Sequence, residues 1–172
     1  MIYLIRYGQT DWNLFKRYGV TDTFLNKVGI EQVKQQADNL KSISFDMCFC
    51  SPLTRARQYC EIINKRTLVF DDRLTEIDCG DFEGKKETLL MGLLFLRAIK
   101  TGARGTERFS AFIERNCSLC DEITEKHRGK NILIVTHAAN ARVINYYFNG
   151  KPDNYNFMKG VCKNNEFLTF EN

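Results

Sequence analysis

Several short stretches put chemistry-bearing side chains at the ends of apolar runs. The first is Ile2-Tyr-Leu-Ile-Arg6-Tyr7-Gly8, an apolar run closed by an arginine, a tyrosine and a glycine. An arginine at a strand exit stands where open α/β sheets bind ligands. Its planar fork of donors suits phosphate or carboxylate. The glycine lets the backbone turn sharply or approach a bound group. A second strand exit, Cys50-Ser-Pro-Leu-Thr-Arg55-Ala56, carries Arg55, and a third, Val135-Thr-His137-Ala138, carries His137. Between them, Arg73 to Gly84 carries Glu76. Taken singly, these are a surface arginine, a solvated glutamate and a core histidine. Taken together, Arg6, Tyr7, Arg55, Glu76 and His137 can converge on one anion pocket if the strands lie side by side.

The elements that must position them follow from periodicity. Ile2 to Ile5 reads as a buried strand. Asn26 is placed to cap a helix from about Lys27 to Lys41, with Ile30, Val33, Ala37 and Leu40 on its buried face and Gln32 and Gln35 on its exposed side. Phe45 to Cys50 is a second strand. Ser51 as cap and Pro52 at the first position predict a helix running to about Asn64 that buries Leu53, Ala56, Cys60 and Ile63. Arg55 then lies in the first turn, beside free N–H groups that suit an anion. Arg57 points to the surface. Thr67 to Phe70 is a short strand. Lys85 to Gly102 is a helix with a thick apolar face from Leu89 to Ile99, core by default. Another helix opens near Phe109 and runs to about Arg128. Asn131 to Thr136 is apolar throughout, which predicts a central strand covered on both sides. A helix from Ala138 to Phe148 follows. Phe157 to Cys162 and Glu166 to Phe170 read as a terminal pair of strands around Lys163-Asn-Asn165.

Length and composition bound the rest. The chain has 172 residues, 44% hydrophobic and 27% charged, which suits one globular domain over 1–172. Its net charge of +4 is mild: it is compatible with an anionic ligand but by itself reads as a solvated, slightly basic surface, and no dense basic run points to nucleic acid. The longest apolar patch, Leu89 to Leu96, is too short to span a membrane. The N-terminus runs straight into the first strand, so no signal peptide is expected. The seven cysteines sit inside apolar patterns, so reduced thiols and a cytoplasmic location are expected. Cys117-x-x-Cys120 and Cys48-x-Cys50 read as core packing; no metal or cofactor is expected.

The four stretches jointly resemble the histidine phosphatase superfamily, the phosphoglycerate mutase-like fold. The resemblance rests on the first strand, the Ser-Pro-Leu-Thr-Arg-Ala block, the Leu74-Thr-Glu76…Gly80-Asp-Phe-Glu-Gly84 segment and the strand into His137, and it covers nearly the whole chain. It implies a three-layer α/β/α sandwich with a mostly parallel central sheet. It implies phosphate binding by Arg6, Asn13, Arg55 and His137, acid/base work by Glu76, and a substrate-side loop holding Gly19 and Thr21. The family motif at the first strand is Arg-His-Gly, and its histidine is the nucleophile; here the residue is Tyr7. The family's two glycines after the second histidine are Ala138 and Ala139, whose methyls narrow the pocket. Arg108 stands where the family's Gly-Glu-Ser segment carries its serine.

Resemblance and residues leave distinct functional readings. One is a phosphatase-type rather than mutase-type member, with the anion pocket kept and turnover impaired by Tyr7. Another is an active small phosphatase that uses Tyr7 or water as nucleophile, or a variant of an ordinary one, with Tyr7 natural or engineered. A third is a non-catalytic sensor of phosphorylated metabolites or phosphopeptides. A phenol ionises near pH 10 and is a poor nucleophile when neutral. The implied partner is a phosphorylated small molecule or inorganic phosphate. Leu89 to Leu96 is the place for a homodimer contact.

Overall fold

A computed structural model describes residues 1–19, 21–63, 67–150 and 162–171. Among them, five strands form one sheet in the order β3-β2-β4-β1-β5. The strands are β1 (Ile2–Arg6), β2 (Met47–Cys50), β3 (Leu68–Phe70), β4 (Ile132–Thr136) and β5 (Phe167–Phe170). The first four run parallel, and β5 closes the edge antiparallel to β1. Every residue of β4 is buried, as its unbroken apolar sequence requires for the centre of a covered sheet.

Alternating side chains feed two cores. On one face, Ile2, Leu4, Phe49, Ile132 and Ile134 pack with Leu119 and Ile123 of α5 (Phe109–Lys126) and Ala141 and Ile144 of α6 (Ala138–Asn149). On the other, Ile5, Tyr7, Cys48, Leu133 and Val135 pack with Val33 and Leu40 of α2 (Lys27–Leu40) and Ala56, Tyr59 and Cys60 of α3 (Thr54–Ile63). This is the expected α/β/α layering. A third cluster lies to one side, where Tyr18, Phe82, Phe95, Ile99 and Phe112 pack around α4 (Leu89–Thr101).

Local chemistry sets the boundaries. Asn26 Oδ1 accepts from Gly29 N at 2.9 Å and caps α2. Gln32, assigned above to the exposed side of α2, is half-buried: its Oε1 accepts from Gln9 N at 2.9 Å. Thr88 caps α4, and Gly102 ends it in the left-handed region. A short helix, α1 (Asp11–Leu14), was not evident in the pattern; a capping box between Thr10 and Asn13 closes it.

Two further expectations are corrected. The helix after β2 starts at Thr54, not at Ser51-Pro52, because Asp22 caps it from a distant loop: its carboxylate accepts from Thr54 N and Thr54 Oγ1, each at 2.5 Å. The Ser51 hydroxyl accepts from Leu53 N at 3.4 Å, ahead of the helix, and is held at 2.7 Å from His137 Nε2. The leucines early in α4 are not core: Leu89, Leu90 and Leu93 are 85%, 66% and 60% exposed, while Leu96 packs against the third cluster and Phe95, Ala98 and Ile99 take the buried face. The expected terminal strand pair is seen only as β5, because 157–161 lie outside the described residues. Among the described residues no helix is long and apolar enough to cross a membrane.

Candidate functional site

Parallel pairing brings the exits of β1, β2 and β4 to one edge of the sheet. Arg6 stands opposite Thr136, and Cys50 opposite Val135, so Arg6, Ser51 and His137 emerge together. The loop after β1 is drawn tightly against α2. A Cβ on Gly8 would come within 2.4 Å of the Gly29 carbonyl oxygen, and one on Gly29 within 2.1 Å of the Gln9 oxygen. Close approach, the property expected of Gly8 toward a ligand, is used here for helix packing. From the C-terminal turn, Asn164 Nδ2 donates to the Tyr7 and Gly8 carbonyls at 3.1 Å and to Asn13 Oδ1 at 3.0 Å.

Tyr7 is the centre of the arrangement. Its ring meets the His137 imidazole edge-on, with centroids 5.1 Å apart and planes at 69°. The Arg55 guanidinium carbon lies 5.1 Å from the ring centroid and that of Arg6 5.9 Å. Stacking a cation on a phenol ring offsets part of its desolvation. This matters for Arg55, which is 2% exposed. His137 is fully buried, and its Nδ1 has no hydrogen-bond partner among the described residues. Burial pushes its pKa well below the usual imidazole range, and the charges of Arg55, Arg6 and Arg115 add to this, so the ring is neutral.

A cavity of about 280 Å³ opens beside this group. Arg6, Tyr7, Asn13, Gly19 and Glu76 line it, as do Ala138 and Ala139 with their methyls. Arg55 and His137 do not: the Tyr7 ring packs on both and is itself the surface that meets the cavity. Thr21 is also outside the lining; it is a tether. Its carbonyl accepts from Arg55 Nη1 at 3.0 Å, and its N–H and hydroxyl donate to Glu83 Oε1. The start of α3, expected to be open to an anion, is occupied by the Asp22 carboxylate.

Glu76 is placed through its backbone. Arg115 donates to the Thr75 carbonyl at 2.9 Å and the Glu76 carbonyl at 3.3 Å, and its guanidinium is paired with Glu107, the nearest contact 2.7 Å. Asn140 Nδ2 also donates to the Thr75 carbonyl, at 2.9 Å, and Thr136 Oγ1 to the Leu74 carbonyl at 2.8 Å. The acidic loop is thus pinned from α5, α6 and the end of β4.

Other lining residues were not singled out from the sequence: Arg17, Tyr18, Glu87 and Arg142 among them. Burial, with the Glu87 and Cys79 charges, pushes the Tyr18 pKa up to about 12. Arg142 had a signal in the sequence: it stands three and four residues after Ala139 and Ala138, on the same face of α6.

With this geometry in place, the comparison with known proteins is specific. The chain belongs to the histidine phosphatase superfamily (branch 1), which its residues 2–165 match. It is 33% identical over 151 residues to the uncharacterized phosphatase PhoE of Bacillus subtilis, covering 79% of this chain and 70% of that one. It spans less than half the length of several other curated relatives. Among solved structures, a putative alpha-ribazole-5'-P phosphatase from Escherichia coli superposes with a TM-score of 0.82 at 25% identity, over 96% of this chain and 87% of that one. A phosphoserine phosphatase from Entamoeba histolytica, solved with 3-phosphoglyceric acid, superposes with a TM-score of 0.80 at 25% identity, again over 96% and 87%.

Proposed function

We propose that the chain binds phosphomonoesters in the cavity beside Tyr7 and that hydrolysis is impaired because Tyr7 stands where the family's histidine attacks phosphorus. In this reading Arg6 and Asn13 contact the phosphoryl group, and Glu76 is the acid/base carboxylate. Arg55 and His137 complete the phosphate set once the ring at position 7 no longer covers them. Gly19 belongs to the substrate-side loop, and Thr21 holds that loop to Arg55. Arginines suit the charge spread over the transferring oxygens. A phenol packed in the core is a poor substitute for an imidazole nucleophile.

The observation that carries the reading is the contact of Tyr7 with both His137 and Arg55, each of which is buried and outside the cavity lining. A small phosphomonoester, of the size of the 3-phosphoglyceric acid held by the Entamoeba structure, fits a cavity of about 280 Å³. The same reading takes 1–172 as one domain in the cytoplasm, for which seven thiols without disulfides speak. It assigns the exposed leucines of α4 to contact between two copies.

The test is a titration of the native chain with an aryl phosphate, with released inorganic phosphate followed in the same samples. Saturable binding with turnover no faster than the buffer blank is expected. Sustained release at a typical enzymatic rate, on the order of 1 s⁻¹ or more, would remove the claim of impairment.

A further inference from the structure

Arg6 and Arg142 reach one cavity from different elements. Arg6 ends β1, and Arg142 lies in the second turn of α6, which packs on β1. Both line the cavity that Tyr7 walls off from Arg55 and His137. Arg6 Nη1 donates to the Cys162 carbonyl at 3.3 Å, while its buried Nε–H meets no acceptor among the described residues. Burial lowers the pKa of Arg142; the Glu76 carboxylate, with Tyr146 and Glu87, opposes that, and the Arg6 charge adds to it, so the two arginines feel each other across the cavity they both line. Two guanidinium groups sharing a partly enclosed space repel, and an oxyanion between them relieves the repulsion and supplies acceptors. Glu76 and Glu87 line the same space, against three arginines counting Arg17. The balance favours a compact anion over a cation.

We propose that the native chain seats its anion on Arg6 and Arg142, outward of Tyr7, and not on Arg55 and His137 beneath it. The ligand class is a tetrahedral oxyanion, either inorganic phosphate or the phosphoryl end of a small monoester. The seat rests on the reading of this cavity as a phosphate site and adds to it a position and a residue, Arg142. An anion held there is displaced from the inner pair, which gives binding a reason to persist without turnover.

The experiment is calorimetric titration of the full chain with inorganic phosphate, with Arg142→Gln made in both the native and the Tyr7→His backgrounds. In the native background Arg142→Gln is expected to weaken binding roughly ten- to a hundredfold, the usual effect of losing a charge-assisted pair. In the Tyr7→His background the same change is expected to cost less than about threefold, because the anion drops inward. Equal losses in the two backgrounds, or no loss in the native one, overturn the proposal. So does a native chain that takes up no phosphate. Should Arg142→Gln fail to fold, a crystal of the native chain grown with phosphate decides: density within hydrogen-bond distance of Arg142 upholds the seat, and density at Arg55 and His137, or none, refutes it. Hydrolysis by Tyr7→His alone is read separately. It bears on the impaired-nucleophile reading whatever the fate of the outer seat.

Discussion

The Tyr7 ring stands edge-on to the His137 imidazole, 5.1 Å between centroids, at the point where β1 and β4 leave the sheet side by side. One ring therefore both completes a core and closes a site. It packs with Ile5, Leu25 and Val33, and it meets the cavity on its other side. The hydroxyl and the ring can be separated by experiment. If the phenol oxygen is no nucleophile, Tyr7→Phe keeps the ring contacts and leaves residual phosphate release unchanged. Native release above the blank that falls tenfold or more on this substitution would make the hydroxyl a chemical participant.

His137 links the site to stability through pH. Its pKa is depressed in the folded chain and returns to about 6.5 on unfolding, so the unfolded state binds the extra proton. Stability from this group is present above about pH 6.5 and falls as the pH drops below it, by at most about 1.4 kcal/mol per pH unit. Urea unfolding of the native chain between pH 7.5 and 5 is expected to show this fall, and His137→Gln to remove it. An equal slope in both would mean that other groups carry it.

Arg115 is the residue on which the Glu76 loop hangs. Its guanidinium serves the carbonyls at 73, 75 and 76 and is paired with Glu107. Arg115→Met removes a donor from all three carbonyls, of which those at 73 and 75 keep Asn140 Nδ2, and leaves the Glu107 carboxylate, 19% exposed, without that partner. A loss of about 2–4 kcal/mol in unfolding free energy is expected. A loss under about 0.5 kcal/mol, the range of an ordinary surface change, would show that the loop is held by Asn140 and Thr136 instead.

The glycine contact between the first loop and α2 makes a steric prediction. Gly29→Ala sets a methyl 2.1 Å from the Gln9 carbonyl oxygen, where backbone and not a flexible side chain must give way. It is expected to cost about 1–3 kcal/mol and to disturb phosphate binding through the displaced loop. An unchanged denaturation midpoint would mean that the loop is free to move.

Much of this was legible because it is written locally. The run Ile132 to Thr136 has no polar interruption and proved to be the buried central strand. Asn26 proved to be the cap of α2. The strand exits carrying Arg6, Ser51 and His137 meet because parallel strands put their carboxyl ends on one edge. What stayed illegible depends on distant partners. Asp22 caps a helix 32 residues away in sequence, so Ser51 and Pro52 looked like the start. Arg115 acts on carbonyls some 40 residues earlier. The run from Leu89 to Leu96 is apolar on every face, so periodicity could not tell which side is buried; Phe95 and Ile99 are, and Leu89 is not. The ring of Tyr7 covering Arg55 and His137 is a matter of side-chain packing that no spacing discloses.

The central claim is that an intact phosphate pocket is silenced at one position. Hydrolysis of an aryl phosphate by the native chain and by Tyr7→His, side by side and with equal folded fractions checked by circular dichroism, tests it most directly. Turnover by Tyr7→His at least about a hundredfold above the native rate is expected, because the imidazole supplies the missing nucleophile. Comparable rates from the two proteins, or silence from both, would contradict it.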